Sequence, residues 1–96
     1  MGSYGGFTSG NELLGYCKSE EGTIACAAYL MGVVDTHADI SSQGIMGGYF
    51  FIPPSVTVRQ ISQVAVKYME ESPKTLHHSA SSLILNALAE AFPFED

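Results

Sequence analysis

The chain has no tryptophan and very little positive charge: its 96 residues hold four lysines and arginines against ten aspartates and glutamates, a net charge of −6. Phosphate backbones are bound by clustered Lys and Arg, so nucleic acid is excluded as the main partner and a basic protein is the better electrostatic match. Acidity also serves solubility alone, so the sign narrows the choice only a little. Long apolar runs are missing too. The stretch at residues 24–34 falls well short of the ~20 residues that span a bilayer, and Gly32 interrupts it. The opening Met1-Gly2-Ser3 lacks the charged start of a signal peptide and looks like an engineered leader, with the expectation that a native export signal has been removed.

Enzyme signatures are equally scarce. There is no GxSxG and no HExxH, and Gly44, Gly47 and Gly48 are not followed by a helix opening with Lys and Ser or Thr, as a phosphate loop requires. His77 and His78 are neighbours, and adjacent positions on a helix do not face one another; His37 is a distant third. Asp35 and Asp39 share one helical face, but no third cation ligand lies near them in sequence. The glutamates sit beside capping positions, in turns or on solvated faces. The expectation is a protein that is not an enzyme, with no cofactor and no metal.

What is present is enough apolar material for one core: 46% hydrophobic residues against 15% charged. The fold class that follows is all-α, a compact bundle of about four helices in a single domain over residues 9–96, after a Gly-rich lead-in at residues 1–8. Ser9 and Glu12 form a capping box, in which each side chain satisfies the other's free backbone N–H, opening a helix that runs to Lys18. Thr23 is expected to cap a central helix on which Ile24, Ala27, Ala28, Met31, Val34 and Ala38 recur. On it Ala28 and Gly32 make a small-residue face where another backbone can approach. The glycines of residues 41–48 turn the chain. Tyr49-Phe50-Phe51-Ile52 then forms a short extended segment, expected to pack its aromatics on the helices and ended by Pro53-Pro54. Thr57 and Gln60 form a second capping box ahead of Ile61, Val64, Ala65, Tyr68 and Met69, stopped by Pro73. Ser79 caps the last helix, which carries Leu83, Ile84, Ala87, Leu88 and Ala91.

Cys17 and Cys26 bracket the acidic turn between the first two helices. A disulfide can close that spacing if the helices run antiparallel, and would imply an oxidising compartment. The alternative, a catalytic thiol, has no His or Asn in an interpretable relation to either cysteine.

Ser9-Gly10-Asn11-Glu12-Leu13-Leu14 ahead of Cys17, Cys26-Ala-Ala-Tyr29-Leu-Met-Gly32-Val-Val-Asp35, Phe50-Phe51-Ile52-Pro53, Val66-Lys67-Tyr68-Met69 before Pro73 and Ala87-Leu88-Ala89-Glu90-Ala91-Phe92-Pro93 stand in an order and spacing that resembles the Rap/Tai-type immunity proteins of type VI secretion. The likeness spans residues 9–93. It implies a non-enzymatic, helical, periplasmic protein that neutralises a cell-wall amidase toxin by occluding its active site, often as a homodimer, with no role for nucleic acid or membrane. The alternative is a phage- or stress-derived inhibitor or adaptor that acts on a different, cytoplasmic target. The family brings no catalytic residues and no contact motif. Partner contact is therefore expected at the loops of residues 20–22 and 39–48, through Glu20, Glu21, Asp39, Gln43, Met46 and Tyr49, while Gly32, Asp35 and Pro53 are structural. At two positions where the family tends to have cysteine this chain has Phe51 and Phe94. Their joint replacement implies a second bridge exchanged for an aromatic contact, with the two rings touching.

Overall fold

The computed structural model describes residues 6–43 and 48–93. Among them four α-helices follow one another, α1 at Gly10–Lys18, α2 at Thr23–Ser42, α3 at Val58–Glu70 and α4 at Ala80–Ala91, with a 3-10 turn at Pro73–Thr75 before the last. Three start on side-chain caps. Ser9 Oγ accepts the Glu12 N–H at 3.2 Å while Glu12 Oε1 accepts the Ser9 N–H at 3.0 Å. Thr57 and Gln60 repeat the exchange at 3.2 and 2.8 Å, and Ser79 Oγ accepts the Ser82 N–H at 3.3 Å. Each cap engages a backbone donor that the helix itself leaves free.

α2 departs from expectation at both ends. Its N-cap is Gly22, which makes no side-chain cap; Thr23 Oγ1 instead donates to the Ser19 carbonyl at 3.2 Å. Space dictates the glycine, because a Cβ on Gly22 would stand 2.5 Å from the Tyr16 carbonyl oxygen and 2.6 Å from its Cα. At the other end the helix continues through Ser42, so Asp39 is helical and not part of a loop. Nothing between Ala38 and Ser42 breaks a helix, and the first glycine after Gly32 is Gly44.

α1 and α4 begin side by side and complete each other's first turns. The N–H groups of Gly10 and Asn11 reach the carbonyls of His78 and Leu76, both at 2.9 Å, and the Ala80 N–H reaches the Thr8 carbonyl at 2.7 Å. A Cβ on Gly10 would meet the Leu76 carbonyl oxygen at 2.9 Å and the Leu83 Cδ1 at 2.3 Å, so this junction also rests on a glycine.

The core gathers Leu13 of α1, Cys26 and Leu30 of α2, Ile61, Ala65 and Met69 of α3, and Ala80, Ile84 and Leu88 of α4. Ile61, Ala65 and Met69 recur every four residues, one stripe of α3 turned inward. The first half of α2, residues 24–34, is apolar all round, yet the helix buries only Cys26 and Leu30 fully, leaving Ile24 84% and Met31 44% exposed. No helix among the described residues is long and apolar enough to cross a membrane.

The extended segment after α2 packs one aromatic, not three. Phe50 is buried and forms an antiparallel bridge with Pro93, and the Phe51 N–H donates to the Phe92 carbonyl at 3.1 Å. Tyr49 and Phe51 are exposed, because neighbours on an extended chain point to opposite sides. The expected contact between Phe51 and Phe94 involves a residue outside the described ones.

Candidate protein-binding groove

On α2, Tyr29, Val33, His37 and Ile40 follow at intervals of four, four and three, so they form one stripe along the helix. Ala28, Gly32 and Thr36 run beside it. Facing them from the start of α4 are Ser81 and Leu85, and Tyr49 closes the far end; together these residues line an open groove of about 580 Å³. No charged side chain lines it among the described residues. A Cβ added to Gly32 would find no described atom within 4 Å, so the small-residue face formed by Ala28 and Gly32 is open at Gly32: no backbone of the described residues stands against it.

The groove's rim is built by two residues acting together. The Tyr49 N–H donates to His37 Nε2 at 3.0 Å, and the imidazole stacks on the Phe50 ring with centroids 3.8 Å apart and planes 14° from parallel. Phe50 is buried, so it fixes the plane of the imidazole, while the Tyr49 ring leans toward that ring at 6.1 Å. Burial lowers the pKa of His37 from its ordinary value of 6.5, because the charged form loses water there. The neutral ring is what an acceptor at Nε2 requires.

Sequence alone ties His37 to nothing near it, since its partners lie twelve and thirteen residues away across a glycine-rich segment. One signal was there: a histidine as the third member of an otherwise apolar helical stripe. His77 and His78 lie elsewhere, in the turn before α4, with their rings edge to face at 4.4 Å. The three histidines therefore do not converge, and no group of three His, Cys, Asp or Glu among the described residues could hold a metal.

The opposite end of α2 is held covalently. Cys17 and Cys26 are joined in a disulfide with Cα atoms 4.9 Å apart, and Cys26 is buried. Both cysteines are thus taken up in the bridge. Glu20 and Glu21 are exposed in the turn that it spans.

α2 is 20 residues long, or about 30 Å at the rise of an α-helix. The residues expected to meet a partner therefore fall into two groups, Glu20 and Glu21 at one end and Asp39, Gln43 and Tyr49 at the other. Met46 lies outside the described residues. Gly32 sits in the groove wall, Asp35 is exposed and lines a smaller cleft that also holds Met31 and Pro53, and Phe51 faces outward. A larger groove of about 810 Å³ runs along α3, but Arg59, Lys67 and Glu70 line it, and the half-exposed Lys18–Glu70 pair at 2.7 Å borders it. Charges of that kind keep their water, so the α2/α4 groove is the better place for an apolar anchor.

Compared with known proteins, the chain matches the model of one family, Rap1a immunity proteins, over residues 9–94. No curated protein and no solved structure gives a significant match.

Proposed function

Because the chain belongs to the Rap1a immunity protein family, we propose that it is a non-enzymatic inhibitor that binds and occludes a toxin, a peptidoglycan amidase delivered by type VI secretion. The match over residues 9–94 carries this reading. The groove between α2 and α4 receives an apolar or aromatic side chain of the toxin, with Tyr49 as the exposed aromatic on its rim. Interfaces draw most of their energy from a few such anchors seated in apolar pockets. Asp39 and Gln43 extend the contact past the groove. Glu20 and Glu21, about 30 Å away along α2, serve encounter through charge more than the seated complex.

The Cys17–Cys26 bridge supports action in the periplasm, since a reducing cytoplasm keeps such thiols apart. The exposed apolar side of α2 around Ile24 and Met31 gives a second copy a surface for a homodimer. The test is an amidase assay on isolated peptidoglycan with the hydrolase encoded beside this gene. Stoichiometric addition of the chain should abolish release of free amino groups. Undiminished hydrolysis at tenfold excess, with the bridge intact, would overturn the proposal.

A further inference from the structure

We propose that His37 is a pH-sensitive pin: as the neutral imidazole it holds Tyr49 at the rim of the α2/α4 groove, and its protonation releases Tyr49 and reshapes that rim. The effect on toxin binding rests on the reading of the groove as the contact surface. The pin itself does not.

The argument starts from the Tyr49 N–H, which reaches His37 Nε2 at 3.0 Å. Nε2 can accept that hydrogen only without a proton of its own, which leaves the ring proton on Nδ1. A second proton turns the acceptor into a donor, and two N–H groups then point at one another. The surroundings offer that charge little help. From α2 the groove presents the Tyr29 phenol, from α4 Ser81 and Leu85, and from the extended segment the phenol of Tyr49, with no carboxylate among the groove-lining residues described. Asp35 and Asp39 are exposed on α2, two positions to either side of His37. The face of Phe50, stacked at 3.8 Å, attracts a cation and so favours the protonated ring. Burial works the other way and lowers the pKa of His37 from its ordinary value.

The direction of the pH effect follows from the lowered pKa. Between that folded value and 6.5 the unfolded chain binds more protons than the folded one, so stability rises with pH across this window. It is fully present above 6.5 and lost as pH falls through the folded pKa. Tyr49 is about half exposed, so little apolar burial resists its departure, whereas Phe50 is buried and bridged to Pro93 and stays in place.

Amide spectra of the full chain, collected from pH 8 to pH 4.5, test this. The Tyr49 amide should shift with the titration of the His37 ring, at a midpoint below 6.5, and its exchange protection should fall about tenfold or more across it. His37→Gln keeps an acceptor oxygen that does not titrate in this range, so in that variant Tyr49 should hold its shift and protection throughout. His77→Gln with His78→Gln should leave the Tyr49 transition unchanged. A Tyr49 amide indifferent to the His37 midpoint, or a transition that persists in His37→Gln, would overturn the pin. If Tyr49 titrates as expected while the amidase assay shows no inhibition, the pin stands and the toxin-blocking role falls.

Discussion

The two ends of α2 are secured by different chemistry. At its start a disulfide, a buried Cys26 and a glycine wedged against the Tyr16 backbone lock the turn from α1, with no helix-capping side chain involved. At its far end one imidazole accepts a backbone N–H and stacks on one buried ring, beside an apolar groove that nothing in the described chain fills. The first end takes its rigidity from covalent and steric constraint, which persists across conditions short of reduction. The second depends on the protonation of a single group. A protein that must be sturdy and still offer a surface to a partner can divide these tasks along one helix.

Opening the locked end should have the largest effect. Replacing Cys17 and Cys26 by alanine together should cost about 2.5 to 3 kcal/mol in the chain-entropy picture of a loop this short, measured as the unfolding free energy from denaturant titrations of both proteins. Gly22→Ala should cost about 2 kcal/mol, because backbone atoms of Tyr16 must move to admit the methyl. The same substitution ten residues on should act in the opposite sense. Gly32→Ala puts a methyl into open space on an exposed helix position, so thermal unfolding should show a gain of about 0.5 to 1 kcal/mol. A loss there would mean that the groove is closed in solution. The smallest effect is expected at Lys18→Ala, whose partner Glu70 is also exposed: within about 0.5 kcal/mol and smaller still in high salt.

This contrast also marks how far the sequence could be read. The capping boxes Ser9/Glu12 and Thr57/Gln60 and the Ser79 cap are visible because both partners lie within three residues, and α3 is visible because its apolar residues recur on one face. The cap of α2 lies one residue before the expected Thr23, since Gly22 is selected by the backbone of α1, which local propensity does not see. Its end lies beyond the loop expected to begin at Asp39, because nothing before Gly44 breaks the helix. The expectation that three aromatics pack inward met the alternation of an extended strand, which buries Phe50 and turns Tyr49 and Phe51 out. The groove was half legible. The spacing of Ala28 and Gly32 shows a face open to another backbone, but its opposite wall, Ser81 and Leu85, comes from a helix about fifty residues away. In the sequence Glu20 and Glu21 look like Asp39 and Gln43, polar positions near turns. The length of α2 separates them.

The central proposal, that a toxin is met at the groove end of α2 and not at the acidic turn, can be tested by titration calorimetry with the hydrolase that the amidase assay identifies as its target. Gly32→Arg should fill the groove and weaken Kd by about 100-fold, near 2.7 kcal/mol, while Glu20→Lys with Glu21→Lys should slow association and leave Kd within about tenfold. Full affinity in the Gly32→Arg protein, with binding lost in the Glu20→Lys/Glu21→Lys protein, would contradict the account.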